Sequence, residues 1–308
     1  MLNYSSNLRI CILYGGFSSE REISIISGQA VEKSLKDLGH TEITKIDVTS
    51  DIHQLSNLII NSHADIIFNT LHGRFGEDGS IQGVLDIIGI PYTNSGRIAS
   101  TLAMEKVIAK KLFASSGLPV AKDCILTIGD LKKADPLPRP YVVKPLNEGS
   151  SLGVSIINDD GDISSTCSLF SSQNTIVMAE EFIPGKELTV AILGNRSLAV
   201  TEIKTFDSFY NYKAKYDSGG SSHIIPANLD KVIYEEILDI SLEAHKALGC
   251  RGVTRVDLRL NNNDPYILEI NTQPGLTPTS LVPEQASFVG MSFNDLVLWM
   301  LENAQCDG

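Results

Sequence analysis

The sequence predicts an α/β fold, α+β when taken over the whole chain, and two observations support that prediction. Apolar runs typical of strands alternate with amphipathic helical patterns over residues 8–95. Strand, helix and strand in this order predict a parallel sheet with helices on its faces. After residue 117 the predicted strands are shorter and are separated by turns, which favours smaller, mostly antiparallel units.

The N-terminal elements follow one another closely. LRICILY, at 8–14, predicts a strand, the turn GGFSSE follows, and REISIISGQAVEKSLKDLG has apolar residues at helical spacing as far as Gly39. EITKIDV and ADIIFNT predict two further strands, and SIQGVLDIIG predicts an amphipathic helix. Ligands of parallel α/β sheets bind beyond the carboxyl ends of the strands, where the glycine-rich connections 15–20 and 72–79 lie.

The remaining elements comprise a linker helix and two sets of strands. SGRIASTLAMEKVIAKKLFASSG, at 95–117, predicts one long helix that ends at Gly117. PYVVKP, LGVSII and TIVMAEEF predict the strands of a small lobe. ELTVAIL, SLAVTEIK, GVTRVDLRL and PYILEIN predict a second set of strands, which the helical patterns DKVIYEEILDISLEAHKALG and FNDLVLWMLENA accompany.

Composition excludes several classes of protein. The net charge of the 308-residue chain is −12, whereas a nucleic-acid-binding protein would normally show a basic surface. The five cysteines are scattered and form no CxxC pair, which argues against a disulfide framework or a zinc site. The N-terminus lacks a signal-peptide layout, and no window approaches the ~18 apolar residues of a membrane span. We expect a cytoplasmic protein without nucleic-acid or membrane partners.

The last two predicted strands bring oxygen ligands together. Side chains alternate along a strand, so Arg255 and Asp257 share one face of GVTRVDLRL, and Glu269 and Asn271 share one face of PYILEIN. If the hairpin pairs Asp257 with Glu269, the two carboxylates and the amide converge, with Cβ atoms of opposite residues ~5 Å apart. Like charges at that distance repel unless a cation lies between them, and hard oxygen ligands suit Mg²⁺ shared with substrate phosphates.

A structural interpretation of the same patch stays open. Asp257 could instead pair with Arg255 or Arg259 of its own strand and bind no metal. The hairpin register tests the two interpretations, because a four-residue turn would break the shared face. The metal interpretation requires a three-residue loop, or a bulge, that pairs Asn261 with Pro265.

Several loops combine backbone freedom with charge or hydroxyl groups. YVVKPLNEGSSLGVSII, at 141–157, has no Walker motif, but Lys144 and the following glycine-serine loop suit a flap over a triphosphate. FYNYKAKYDSGGSS, at 209–222, suits a lid that closes over an anion. EINTQPGLTPTSLVP, at 269–283, offers amides for an oxyanion or a carboxylate. Each segment alone is equally compatible with an ordinary surface loop.

The connection LHGRFGEDGSIQG, at 71–83, is unusual for a plain turn. It holds a histidine, an arginine, two adjacent carboxylates and four glycines, whereas a simple turn needs one glycine or one Asn-Gly pair. This composition predicts a backbone that closely approaches a ligand. The first connection, GGFSSEREIS, places Glu20 near the N-terminus of a helix, where the dipole stabilises a carboxylate.

Taken together and in order, these stretches resemble the D-alanine–D-alanine ligases of the ATP-grasp superfamily. The matching stretches span residues 13–283, and they are LYGGFSSEREIS, LHGRFGEDGSIQGVLDIIGIPYTNSG, VVKPLNEGSSLGV, FYNYKAKY, RVDLRL and LEINTQPGLTPTSLVP. The resemblance implies a Rossmann-like parallel α/β domain followed by two ATP-grasp lobes with the nucleotide between them. We place the domains at residues 1–95, 96–185 and 186–308.

The resemblance also implies an activity. The chain would ligate two D-alanine molecules to D-alanyl-D-alanine through an acyl phosphate, with ATP converted to ADP and phosphate, for peptidoglycan synthesis. It would use ATP and two Mg²⁺ ions, for which Mn²⁺ can substitute, and it would form a homodimer. For metal binding the resemblance implies Asp257, Glu269 and Asn271. For the nucleotide it implies phosphate contacts from Lys106 and Lys144, adenine contacts from Glu180 and Ile183, and a ribose contact from Glu187. Phe209 and Lys215 would close over the nucleotide, and Ser151 would also bind it.

The implied substrate residues have distinct roles. Glu20 and His72 would bind the first D-alanine, and Arg255 and the amide of Gly275 would stabilise the oxyanion. Ser280 and Leu281 would hold the carboxylate of the second D-alanine. Ser150 and Tyr216 would form a hydrogen-bonded set with Glu20. Tyr216 favours an amine as second substrate, because the matching lid tyrosine is replaced in the related D-alanine–D-lactate ligases. We expect Glu77 and Asp78 to cap the next helix or to pair with Arg74, without a catalytic role.

Three other functions fit the sequence less well. Another carboxylate–amine ligase of the superfamily is disfavoured by Tyr216 and TSLVP. A dinucleotide-dependent oxidoreductase is disfavoured because GxGxxG is missing from the chain. A non-catalytic nucleotide-binding protein is disfavoured because it would not need the full set of metal, phosphate and oxyanion residues.

Overall fold

The computed structural model describes residues 8–147, 153–161, 163–205 and 220–307, and their strands form three sheets. The first sheet is parallel, with strand order β2-β1-β3, and it contains β1 (Ile10–Gly15), β2 (Ile43–Val48) and β3 (Ile66–Asn69). Helices α1 (Arg21–Asp37), α2 (Ile52–Asn61) and α3 (Ser80–Ile88) connect or follow these strands. This is the parallel α/β unit that the sequence predicts.

Both faces of this sheet are buried, as expected for parallel strands covered by helices. Alternate residues of β1 enter different cores: Ile10 and Ile12 pack in one cluster with Val31 of α1, whereas Cys11 and Leu13 pack in another with the buried residues of α2 and α3. The first cluster extends to residues of the C-terminal part of the chain, including Leu296. The N-terminal sheet therefore shares its core with the last third of the protein.

The predicted helix at 95–117 is wrong in one respect, because the structure divides it into α4 (Arg97–Met104) and α5 (Lys106–Ser115). Glu105 interrupts the helix with φ −80° and ψ 83°, which lies outside the helical region. The Glu105 side chain accepts a hydrogen bond of 2.7 Å from Asn147 Nδ2 of the small lobe. The break places Lys106 at the first position of a new helix.

The second sheet is antiparallel, with order β4-β7-β5-β6. Its elements are β4 (Asp123–Thr127), α6 (Ile128–Leu131), β5 (Tyr141–Pro145), β6 (Ser155–Ile157), α7 (Ile163–Ser168) and β7 (Ile176–Glu181). Val143, Val177 and Ala179 are fully buried in its core. The prediction of a small, mostly antiparallel lobe is confirmed, whereas the exact domain bounds stay a prediction.

The third sheet is also antiparallel, with order β10-β9-β8-β11-β12. Its strands are β8 (Lys186–Leu193), β9 (Arg196–Thr205), β10 (Ser221–Ile224), β11 (Val253–Asn261) and β12 (Asp264–Asn271). The accompanying helices are α8 (Lys231–Ala247), α9 (Leu281–Phe288) and α10 (Phe293–Glu302). The mixture of one parallel and two antiparallel sheets is the predicted fold class. Across the described ranges, no helix has the length and apolar character needed to span a membrane.

At the end away from its turn, the β11–β12 hairpin has the register that the metal interpretation requires. Asp257 lies opposite Glu269, one step from a second pair in which Arg255 lies opposite Asn271. The predicted three-residue loop and the pairing of Asn261 with Pro265 are wrong, because Asn261 pairs with Asp264 across a two-residue turn, whereas the predicted alternative, a bulge, is present. The register shifts between Asp257 and Leu258, so a bulge compensates for the shorter turn.

A buried histidine predicts how stability depends on pH. His245 of α8 is 2% exposed, and its Nδ1 lies 2.7 Å from Thr254 Oγ1. Burial lowers the pKa of His245 from 6.5 to about 4, so below pH 6.5 the unfolded chain binds a proton that the folded chain resists. The free energy of unfolding should therefore fall as pH drops from 6.5 to 4, by roughly 3 kcal/mol from this residue.

We expect His245→Gln to lower stability at pH 7 but to flatten its decline between pH 6.5 and 4, as measured by urea unfolding. His53→Gln changes an exposed histidine of α2 and should leave the wild-type slope unchanged. An equally steep decline in His245→Gln would contradict the assignment.

Candidate functional site

A cavity of about 80 Å³ lies where the parallel sheet meets the end of β12. Residues from the two glycine-rich N-terminal connections, the start of α5, the β11–β12 hairpin and the loop before α9 line it. Nine residues of the predicted site are among them: Glu20, His72, Lys106, Arg255, Glu269, Asn271, Gly275, Ser280 and Leu281. The fold therefore brings together side chains that lie far apart in the sequence.

The Glu20 wall of the cavity is built by the first two connections. Glu20 is buried at the N-cap of α1, and Ser18 Oγ accepts a hydrogen bond of 3.2 Å from its backbone N–H. Ser18 Oγ also donates to the carbonyl oxygen of His72 at 2.7 Å. A Cβ built on Gly73, which has φ +69°, would lie 2.9 Å from Glu20 Oε2. Glycine at that position lets the second connection approach the carboxylate closely.

His72 is buried against the loop that follows β12. Its Nδ1 lies 3.1 Å from the carbonyl oxygen of Gln273, and its Nε2 lies 3.4 Å from Ser27 Oγ. A carbonyl can only accept, so Nδ1 carries the proton and Nε2 keeps its lone pair. Burial lowers the pKa of His72, although Glu20 opposes that change. His72 is therefore a neutral imidazole at neutral pH.

Glu77 differs from the sequence-based expectation. Asp78 does contact the start of α3, since its Oδ1 accepts from the Ser80 amide at 2.9 Å. Glu77 instead turns back, so that its Oε1 accepts from the Gly73 amide at 3.1 Å, and it lines the cavity. Burial, followed by the nearby Glu20 carboxylate, raises the pKa of Glu77 to about 8. The only sequence signal for this position was the density of glycines around it.

Cationic side chains hold the predicted metal-binding carboxylates. Arg255 donates to both oxygens of Asp257, from Nε at 2.8 Å and from Nη2 at 2.7 Å. Lys106 Nζ lies 3.3 Å from Glu269 Oε2. The ion pair between Asp257 and Arg255, which the sequence left open as an alternative, is thus present. Arg259 instead pairs with Glu187 at 3.2 Å.

The donor set still fits a divalent cation. Asp257 and Glu269 are directly opposed, and Asn271 Oδ1 is oriented by a 2.9 Å hydrogen bond from the Gln273 amide. Two carboxylates and one amide oxygen suit Mg²⁺ that takes its other ligands from phosphate. Within the residues that the structure describes, no three or more His, Cys, Asp and Glu side chains are grouped so that they could hold a metal ion. The proposed set is different, because its third ligand would be the amide oxygen of Asn271.

The loop before α9 forms the opposite wall of the cavity. Ser280 is the N-cap residue of this helix, and its Oγ lies 2.7 Å from Thr277 Oγ1 and accepts from the Thr277 amide at 3.0 Å. A Cβ on Gly275 would lie 2.9 Å from Ser280 Oγ, so the backbone passes close to this hydroxyl. The N-terminus of a helix favours an anion, which suits a substrate carboxylate.

Four predicted nucleotide residues are not among those that line this cavity, namely Lys144, Glu180, Ile183 and Glu187. Glu180 of β7 is buried and binds Lys144 of β5 at 2.6 Å. Its second oxygen accepts from Lys110 of α5, a residue that the sequence analysis did not identify. Burial alone would raise the pKa of Glu180, but Lys144 and Lys110 more than offset this and lower it. Ile183 is buried in the connection between β7 and β8.

Five residues of the predicted site cannot be placed. Ser150 and Ser151 of the glycine-serine loop lie outside the described residues. The same holds for the predicted lid residues Phe209, Lys215 and Tyr216. Their roles stay predictions from the resemblance.

Comparisons with known proteins agree over nearly the whole chain. Residues 36–95 match the family described as D-ala D-ala ligase N-terminus, and residues 112–302 match the D-ala D-ala ligase C-terminus. The D-alanine–D-alanine ligase of Paramagnetospirillum magneticum is 48% identical over 305 residues, which cover 97% of this chain and 99% of that protein. The enzyme of that name from Granulibacter bethesdensis is 48% identical over 303 residues, covering 97% and 98%.

Solved structures also match nearly the whole chain. The crystal structure of D-alanine–D-alanine ligase from Bacillus anthracis complexed with ATP has a TM-score of 0.80 and 32% identity, and the match covers 97% of each chain. The VanG D-Ala:D-Ser ligase from Enterococcus faecalis has a TM-score of 0.80 and 27% identity, with 96% of this chain and 99% of that chain covered.

The close approach of Gly73 to Glu20 predicts that a larger residue at position 73 lowers the free energy of unfolding. Gly73→Ala would add a methyl group against the Glu20 carboxylate at a left-handed backbone position, and should reduce the free energy of unfolding by about 3 kcal/mol. Gly117→Ala is a matched control, because Gly117 has φ +75° but open space around it. The control should cost about 1 kcal/mol from backbone strain alone. Equal costs in urea unfolding would show that the methyl group meets no obstacle.

Proposed function

The chain belongs to the D-alanine–D-alanine ligase family, and from this membership we infer that it joins two D-alanine molecules to D-alanyl-D-alanine. The reaction forms a carbon–nitrogen bond, converts ATP to ADP and phosphate, and supplies peptidoglycan synthesis for the cell wall. The observation that carries this conclusion is identity of 48% to such ligases over 97% of the chain. The Bacillus anthracis structure complexed with ATP supports the nucleotide.

The first D-alanine is proposed to bind with its ammonium at Glu20 and with His72 nearby. Glu20 is a buried carboxylate at the cavity wall, and the neutral imidazole of His72 adds no competing positive charge there. The substrate carboxylate then attacks the γ-phosphate of ATP. Lys106 and Lys144 neutralise charge during that transfer, so positioning and electrostatics supply most of the catalysis.

The second D-alanine is proposed to attack the resulting acyl phosphate with its amine. Arg255 and the Gly275 amide, which both line the cavity, stabilise the oxyanion of the tetrahedral intermediate before phosphate leaves. Ser280 and Leu281 at the start of α9 hold the carboxylate of this substrate. We propose on the resemblance alone that Ser150 and Tyr216 form a hydrogen-bonded set with Glu20.

Nucleotide and metal binding complete the proposal. Adenine contacts are assigned to Glu180 and Ile183, and the ribose contact to Glu187, while Ser151, Phe209 and Lys215 rest on the resemblance. The family implies a divalent metal, and we propose two Mg²⁺ ions, replaceable by Mn²⁺, held by Asp257, Glu269 and Asn271. The metal supplies positive charge that neutralises the phosphates during transfer.

We also propose that the protein is a cytoplasmic homodimer. The dimer rests on the resemblance, and the cytoplasmic location stays an expectation. Sedimentation at several protein concentrations would test the first of these proposals, since a species of 33.5 kDa at all concentrations would contradict it.

The activity is tested by ADP release in the presence of ATP, Mg²⁺ and D-alanine. Matched reactions contain L-alanine, D-lactate or no amino acid, and one contains D-alanine with D-serine. We expect ADP release that depends on D-alanine, with one dipeptide formed per ADP. If the chain binds ATP but no amino acid stimulates ADP release, a nucleotide-binding regulatory protein becomes the better explanation. A mixed product formed in preference to the D-alanine dipeptide would reassign the second substrate.

The proposed carboxylate site gives a further prediction. Ser280→Ala removes a hydroxyl that lines the cavity. Because a hydrogen bond to the charged carboxylate of the second D-alanine would be lost, we expect the KM for this substrate to rise about tenfold. The KM for ATP should change little. Ser287→Ala, at an exposed position of α9, is the control and should behave as the wild type. An unchanged KM for D-alanine in Ser280→Ala would remove Ser280 from the site.

A further inference from the structure

Two carboxylates of the small lobe face each other directly. Asp123 of β4 lies opposite Glu180 of β7 in an antiparallel pair, so both side chains lie on the same face of the sheet. Like charges in directly opposite positions destabilise a sheet unless a cation separates them. Glu180 is 3% exposed, so solvent cannot screen this repulsion effectively.

Lys110 supplies the missing positive charge from outside the sheet. Its Nζ lies 3.0 Å from Asp123 Oδ1, donates to Glu180 Oε1, and donates to the carbonyl oxygen of Ala121 at 2.8 Å. An ammonium group has three protons, and these three contacts use all of them. Lys110 is itself only 3% exposed, so it is fixed in one place.

Glu180 passes this constraint on to Lys144. Its second oxygen, Oε2, lies 2.6 Å from Lys144 Nζ. Asp123, Lys110, Glu180 and Lys144 thus form a chain of alternating charge whose sum is zero. Lys144 is 8% exposed, and its contact with Glu180 determines where its ammonium group lies.

Helix α5 connects this chain of charges to Glu269, one of the residues assigned to the metal. Lys106 and Lys110 are four residues apart and lie on the same face of the helix. Lys106 contacts Glu269 of the five-stranded sheet, whereas Lys110 contacts Asp123 and Glu180 of the four-stranded sheet. One short helix therefore places two ammonium groups, one in each half of the region assigned to the nucleotide.

We propose that Lys110 is a positioning residue for ATP. It fixes Glu180, which is assigned to the adenine edge, and through Glu180 it holds Lys144, which is assigned to the phosphates. Lys110 acts through these two residues, because its three protons are used by Asp123, Glu180 and the Ala121 carbonyl. This proposal rests on the proposed function, because the roles of Glu180 and Lys144 come from it.

Loss of Lys110 has two physical consequences. The buried chain would change from a net charge of zero to −1, which disfavours an incoming polyphosphate. Glu180 would also lose the contact that orients its Oε1, and would no longer present a fixed acceptor to the 6-amino group of adenine. ITP is a probe of that acceptor, because hypoxanthine has an oxygen where adenine has the amino group.

The test measures ATP and ITP dissociation constants by calorimetry without D-alanine, followed by steady-state KM values. Lys110→Met should weaken ATP binding about tenfold and ITP binding less, because the change in net charge affects both nucleotides whereas the lost acceptor for the 6-amino group affects ATP alone. Lys110→Arg should recover part of the ATP affinity. Lys111→Met changes the exposed neighbour on the same helix and should match the wild type. The KM for D-alanine should stay within about twofold in all variants, because Lys110 does not line the cavity.

A double variant separates positioning from folding. Lys110→Met/Asp123→Asn removes the lysine together with one of the two opposed carboxylates. The remaining charges of Glu180 and Lys144 sum to zero, and no two carboxylates repel each other across the sheet. We expect this variant to fold and still to have a reduced ratio of ATP to ITP affinity. An unchanged ratio in the folded double variant would overturn the proposal.

The remaining outcomes are also decisive. If affinity for D-alanine fell as much as affinity for ATP, Lys110 would be a general structural residue and the proposal would be wrong. If the wild-type chain bound ATP but released no ADP with D-alanine, the ligase function would fall. The nucleotide ratio of the variants would still decide the role of Lys110 in that case, because it is measured without the ligation reaction.

Discussion

A buried pair of amides connects the two parts of the protein that form the cavity. Gln273 Nε2 donates to the carbonyl oxygen of Asn69 at 2.6 Å, and Asn69 Nδ2 lies 3.3 Å from Gln273 Oε1. Asn69 ends β3 of the parallel sheet, and Gln273 follows β12 of the large antiparallel sheet. The backbone of Gln273 also contacts His72 and Asn271, so one residue orients a side chain of each wall. Because an unpaired buried amide is costly, the two sheets are held in this arrangement.

Charge balance is the second constraint on the site. The carboxylates assigned to the metal are held by Arg255 and Lys106, and the carboxylate assigned to adenine is held by Lys110 and Lys144. Each group is thereby oriented before any ligand arrives. Preorganised charge of this kind needs little rearrangement during the reaction, which is the usual source of electrostatic catalysis. The interactions that stabilise the fold and those that prepare the reaction are here the same contacts.

The sequence predicted the elements whose pattern is local and missed the features that depend on tertiary contacts. Strand alternation placed Asp257 on the correct face, and the fold class followed from the order of strands and helices. The bulge after Asp257 was not predictable in detail, because nothing in the hairpin sequence distinguishes a two-residue turn with a bulge from a longer loop. Glu77 and Lys110 were missed for a similar reason. Their partners lie on a returning loop and on two other strands, and charged residues in such positions are usually exposed.

The break at Glu105 has an electrostatic consequence of its own. It creates a second helix N-terminus beside Glu269, one of the residues assigned to the metal, and the partial positive charge of that terminus adds to the ammonium group of Lys106. A lysine in the first turn opposes the helix macrodipole by about 0.3–1 kcal/mol, so the ligand-free protein stores a small excess of positive potential there. Glu269 relieves only part of it, at 3.3 Å. An arriving polyphosphate relieves the rest, so a single interruption of a helix creates local attraction for an anion in a protein with a net charge of −12.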